Sequence, residues 1–303
     1  MSAHPISGEG ADPPLAPELP VEQPEGDPTQ SPLTSWPWWT ALVALFGALL
    51  LTAVGSLLID VPAVALGVEI TSSHTPAGLT IADTFVQDIA FVVASVYAVR
   101  IGGRPVRSWM FGLRRPGVGW RAAVRMIVLL IVAFLVLNVI WAELVNPGKE
   151  KLLKDLGTTE SATLLVLSAG LTCVVAPMCE EFLFRGTIFT ALRSSWGTLP
   201  GALVTGLLFG GVHASSAPAL DLLPLAALGF GLCLLYRYTG SLYPCMAAHS
   251  LHNSSAFAGL EGWNFAQGVL LAAAALGGIW LVVLACRRVG LIAPARQVPR
   301  PAS

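Results

Sequence analysis

The chain predicts an all-α membrane protein, a polytopic bundle of about eight transmembrane helices behind a disordered N-terminal tail. Three observations carry that reading. The 303 residues are 54% hydrophobic and 12% charged, with a mean hydropathy of +0.71, whereas soluble domains carry roughly 25% charged residues. Apolar runs of spanning length recur from Trp38 to Cys286. The formal net charge of -1 conceals a segregation, because residues 1–36 hold six acids and no Lys or Arg.

That first segment is rich in Pro, Glu, Gly and Ser without apolar periodicity, so it is expected to be a disordered cytoplasmic tail. It lacks the basic start of a secretory signal. The clear spans are Trp38–Ile59, Ile81–Val99, Ala122–Val145, Leu164–Phe189 and Ala266–Cys286. Leu199–Ala214, Ala219–Tyr236 and Leu242–Phe257 are shorter. Eight spans are expected; re-entrant short runs would reduce the count to six or seven. Together they form one integral membrane domain over 37–290, followed by a short cytoplasmic tail, 291–303.

Basic residues orient the spans through the positive-inside rule. With the N-terminus inside, Arg100, Arg104, Arg107, Arg114, Arg115, Arg121 and Arg125 fall on the inner side. So do Arg185, Arg193, Arg237, Arg287, Arg288, Arg296 and Arg300, leaving only Lys149, Lys151 and Lys154 outside. Both termini are therefore expected in the cytoplasm. The segment Lys149–Leu156 could lie along the interface with its leucines toward lipid. No internal repeat is visible, which counts against an inverted-repeat transporter.

Function is sought where charge enters lipid. Glu180 and Glu181 adjoin inside the apolar run Leu164–Phe189, with Arg185 one turn later. A charge near the bilayer centre costs from about 2.5 kcal/mol upward, so these residues need a reason. Glu181 and Arg185 stand at i, i+4 in the order that favours an ion pair. Glu180 lies about 100° around the helix and has no such partner, which leaves it free to take a proton from water. Pro177 just ahead would kink the helix and free the Cys173 carbonyl.

His213 closes the run Phe209-Gly-Gly-Val-His213, whose paired glycines permit close helix approach. His249 and Asn253 share one helical face at i, i+4, with His252 pointing somewhat away. Asp83, Gln87 and Asp88 are further polar intrusions without an assigned role. The five cysteines, Cys173, Cys179, Cys233, Cys245 and Cys286, show no CxxC spacing and read as buried free thiols. The inventory of carboxylates, imidazoles, an amide and a guanidinium suits hydrolysis.

These residues resemble a family. Glu180-Glu181-Phe-Leu-Phe-Arg185 looks like the EExxxR motif of the CPBP membrane proteases, the CAAX prenyl endopeptidase and bacteriocin-processing (ABI) group. Phe209-Gly-Gly-Val-His213 is similar to its FxxxH motif and His249-Ser-Leu-His-Asn253 to its HxxxN motif. Phe111-Gly-Leu-Arg-Arg115 resembles a stretch often seen upstream. The resemblance covers roughly 110–258, the motif core. It implies an intramembrane endopeptidase in a bacterial cytoplasmic membrane, acting on a membrane-associated peptide or protein within the lipid bilayer, with no nucleic acid partner. It further implies that Glu180 and His213 activate water, that His249 and Asn253 stabilise the oxyanion, and that Glu181 and Arg185 support them.

No cofactor is required in the first reading. Zinc is the alternative, with Glu180, His213 and His249 as ligands and one position left for water. Two other classes compete with a protease. Intramembrane Glu, His and Arg also build proton relays in transporters and channels, and an immunity or scaffold protein would use the same fold without catalysis.

Overall fold

The structure is a computed structural model that describes residues 36–71, 75–101, 106–145, 158 and 161–292. The tail 1–35, Arg104, the interfacial segment Lys149–Leu156, and residues from 293 onward with Arg296 and Arg300 lie outside the described residues.

Eight helices account for the described residues: α1 (Trp39–Ala65), α2 (Ala77–Arg100), α3 (Trp120–Val145), α4 (Ala162–Trp196), α5 (Thr198–Val212), α6 (Leu222–Thr239), α7 (Leu242–Leu260) and α8 (Phe265–Arg288). Six stretches are long and apolar enough to cross a bilayer: α1, α2, α3, α4, Ala219–Thr239 (which contains α6) and α8. The other two depart for different reasons. α5 has 15 residues, about 22 Å at 1.5 Å per residue, short of a hydrocarbon core of about 30 Å. α7 is 19 residues long but carries His249, Ser250, His252, Asn253 and Ser254. Large apolar side chains cover the outside. Leu50, Leu58, Leu129, Leu144 and Leu270 are between 64% and 75% exposed, a belt that makes sense only against lipid.

Helix α4 runs through the middle and touches α1, α2, α5, α6, α7 and α8. Around it α1 packs on α2, α5 on α6, and α7 on α8. The α5–α6 contact is backbone on backbone. A Cβ on Gly206 would stand 2.7 Å from the Ala226 carbonyl, and one on Gly229 2.9 Å from the Phe209 Cβ. Gly210 is pressed against α6 in the same way, whereas Gly211 has open space around it. Gly206 and Gly210, spaced as small-xxx-small, therefore allow the close approach that the sequence suggested for Gly210 and Gly211.

The stretch 106–117 clasps one end of the bundle. A 3₁₀ turn, Ser108–Phe111, stops at Gly112, whose φ of +88° and contact with the Tyr236 ring both exclude a side chain. Phe111 stacks on Phe182 at 4.2 Å and meets Trp36 edge-on at 5.2 Å. Leu242 N–H donates to the Gly112 carbonyl at 2.9 Å. Arg114 Nε donates to the Gly240 carbonyl at 2.8 Å. Ser194 Oγ donates to the Trp36 carbonyl, and Arg287 to the Tyr243 hydroxyl. Both ends of the described chain thus emerge at the same end of the bundle, the one that carries these arginines.

Candidate active site

Two departures from α-helix shape α4. Leu171–Val175 and Phe182–Phe189 open into π-type turns on either side of the short α-helical stretch Ala176–Glu181. The first follows from Pro177, which has no N–H to offer either the i−4 or the i−5 carbonyl. Both carbonyls are satisfied from α7 instead. Ser250 Oγ donates to the Cys173 carbonyl at 2.6 Å, and Asn253 Nδ2 to the Thr172 carbonyl at 2.9 Å. In the second, the hydroxyls of Thr187 and Thr190 fill the widened turn by donating to the Phe182 and Arg185 carbonyls. The proline kink is thereby stitched to the helix that bears the third motif.

This registers His249 against both glutamates. His249 Nδ1 lies 2.9 Å from Glu181 Oε1. A carboxylate accepts, so Nδ1–H donates and Nε2 faces away from Glu181. Arg185 Nη1 donates to the same Oε1 at 2.8 Å, while Nη2 donates to the Gly229 carbonyl at 3.0 Å. The guanidinium also sits 4.6 Å from the Phe209 ring centroid, a cation–π contact. Glu181 and Arg185 are both 0% exposed and His249 is 2% exposed. One buried carboxylate therefore ties α4 to α7 directly and to α6 through Arg185.

Glu180 faces elsewhere. Its Oε2 stands 3.8 Å from His249 Nε2, outside hydrogen-bond range, and has no hydrogen-bond partner among the described residues. It lines a cavity of about 300 Å³ together with His213, His249, His252 and Asn253. His213, at the end of α5, is anchored by Nδ1 at 2.8 Å from the Phe209 carbonyl. A carbonyl only accepts, so in the neutral ring Nε2 keeps its lone pair. Phe209 lies beneath the site, its ring 5.0 Å from His213 and 5.4 Å from His249.

Of the six residues picked from sequence, four reach the cavity and two, Glu181 and Arg185, sit behind it. His252, expected to turn somewhat away, also lines the cavity, with its ring edge-on to Phe134 at 4.8 Å. Thr84 and Gln87 of α2 join the lining without any motif to announce them. Asp88, left without a role by the sequence, is 1% exposed and within electrostatic reach of Glu180 and the Cys179 thiol. All five cysteines are free.

The fit of a metal rests on the same atoms. Two histidines anchored through Nδ1 leave Nε2 available, the arrangement a metal ligand also uses. Among the described residues, however, no three His, Cys, Asp or Glu side chains are grouped closely enough to hold an ion.

A membrane-embedded helix bundle with buried carboxylates and imidazoles converging on one cavity defines the class. Residues 162–255 match the model of a family described as "Type II CAAX prenyl endopeptidase Rce1-like", and that segment contains all six motif residues. Over that segment the chain is similar to the CAAX-protease family. An "Uncharacterized protein" of Mycoplasma capricolum subsp. capricolum is 32% identical over 90 residues, 29% of this chain and 26% of that relative. The "Putative membrane peptidase YdiL" of Bacillus subtilis is 33% identical over 81 residues, 27% of this chain and 32% of the relative. The matches thus span about a quarter to a third of the length of these relatives. No solved structure matches.

Proposed function

We propose that the protein is an intramembrane endopeptidase that hydrolyses a peptide bond of a membrane-associated substrate with water activated by Glu180 and His213. The observation that carries this reading is the division of labour between adjacent glutamates. Glu181 is spent on Arg185 and His249, while Glu180 keeps a free oxygen in the cavity that His213 and His249 share.

In this scheme Glu180 takes one proton from water, and the water oxygen bonds to the carbonyl carbon. His213 Nε2, the second acceptor, holds the water in line. The carbonyl oxygen gains the negative charge as the tetrahedral species forms. His249, with Nδ1–H committed to Glu181, carries a second proton on Nε2 and donates to that oxygen. This charge count balances, because Arg185 neutralises Glu181 and the His249 proton neutralises Glu180. Asn253 spends one N–H on Thr172 and retains another for the oxyanion. When the C–N bond breaks, the departing nitrogen receives the proton held by Glu180.

The positive-inside rule supports taking the arginine-bearing end as the inner face, with both termini in the cytoplasm of a bacterial cell. Membranes containing wild type or Glu180→Gln protein test the reading by quantitative proteomics. One or more membrane proteins should persist uncleaved in the variant, and identical cleavage patterns would remove the peptidase assignment. Carboxylate and imidazole suffice as the base, so activity of the purified protein is expected to survive exhaustive chelation. Restoration only by added zinc or cobalt would overturn that part of the scheme.

A further inference from the structure

α2 forms a wall of the cavity that none of the three motifs supplies. Thr84, Gln87 and Phe91 stand at i, i+3 and i+7, one helical face, and all three line the cavity with Glu180 and His249. α2 also lies outside the segment 162–255 that the family model covers. The three side chains differ in what they can still bind. Thr84 Oγ1 already donates to the Thr80 carbonyl at 2.8 Å, and Phe91 is a buried hydrocarbon. Gln87 is half-buried and makes no hydrogen bond to another described residue.

A primary amide offers two donors and one acceptor. Neither polar atom of Gln87 is buried without a partner, so the amide is open to the cavity and available to a polar reactant. We propose that Gln87 is a substrate-binding residue of this site, its side-chain amide pairing with the backbone of an extended peptide that lies between α2 and α7. The inference rests on the peptidase reading and supplies the recognition that reading lacks. An extended peptide presents a carbonyl and an N–H at each residue, the complement of a carboxamide. Much of the remaining lining is apolar, through Val212, Leu225, Ala256 and Phe257. The substrate class is accordingly an unpaired extended segment with apolar side chains next to the cleaved bond.

The test uses purified full-length protein and a library of fluorophore–quencher decapeptides rich in apolar residues. Gln87→Met keeps the length and bulk of the side chain and removes the amide. It is expected to raise KM about tenfold, the worth of one hydrogen bond of about 1.4 kcal/mol, with kcat nearly unchanged and no loss of melting temperature. Gln87→Asn, which keeps the amide, should recover part of that KM. Equal KM for wild type and Gln87→Met overturns the proposal. So does a fall in kcat and melting temperature with KM unchanged, which would mark a structural role. Binding separates this inference from the reading beneath it. Fluorescence anisotropy compares the same peptides on Glu180→Gln and on Glu180→Gln/Gln87→Met. If wild type cuts nothing, the peptidase reading fails. Weaker binding to the double variant would still support the Gln87 contact, and equal or absent binding would overturn it.

Discussion

Glu181 Oε1 accepts from Arg185 on its own helix and from His249 on another. That one oxygen holds His249 Nδ1–H and so fixes the orientation of the ring, the role a third group plays behind a working imidazole in hydrolytic sites generally. Arg185 pairs with the 0% exposed Glu181 beside the His249 N–H, and its fork reaches the Gly229 carbonyl at the same time. Removing one partner of a buried pair costs about 3–5 kcal/mol because the other is left uncompensated. Arg185→Ala is therefore expected to lower the melting temperature sharply and to abolish activity. Arg185→Lys should rescue little, since an ammonium cannot reproduce the planar two-way reach of the fork. A stable, active Arg185→Ala protein would show that Glu181 is held by something else.

Among the elements, α4 and α7 are joined where Pro177 opens the main chain. An unsatisfied carbonyl costs about 1–3 kcal/mol, and Ser250 and Asn253 remove that cost at Cys173 and Thr172. The freed Cys173 carbonyl was legible from Pro177 alone. Its capture was not, because the donor lies 77 residues further along. The motif residues themselves were legible, since charges and imidazoles in apolar runs have few innocent explanations. The α2 wall was legible only in part. Thr80, Asp83, Thr84, Gln87 and Asp88 recur at helical spacing on one face of α2, but that spacing does not say which neighbour the face meets, so Gln87 could be seen as an intrusion but not placed. Glycines were read half correctly, with Gly210 at the α5–α6 contact and Gly211 free of it. That difference predicts two outcomes. Gly206→Leu should force α5 from α6, displacing Phe209 and His213 and lowering both melting temperature and turnover. Gly211→Ala should leave both unchanged, and a Gly211 effect equal to that of Gly206 would contradict the packing.

For the whole molecule, the even number of helices brings Trp36 and Arg287 to the same end. Hydrophobic runs predicted eight spans; among the described residues eight helices form, six of the stretches are long and apolar enough to cross a bilayer, and α5 and α7, which carry His213, His249 and Asn253, are short or polar. Cysteine labelling from either side of the membrane, at the tail and just after Arg288, should report both sites on the cytoplasmic side. Labelling from opposite sides would break the topology.

The central claim is that the bundle exists to place one free carboxylate, Glu180, against water and a peptide bond. Glu180→Gln is nearly isosteric and leaves Glu181, Arg185 and His249 paired, so the fold should be retained with a melting temperature close to wild type. Its amide cannot take the proton of the attacking water. The decisive measurement is the cleavage rate of purified Glu180→Gln beside wild type on the same peptide library. A loss of about 100-fold or more, the usual worth of a general base, is the expected result, and near wild-type turnover by a folded Glu180→Gln protein would contradict it.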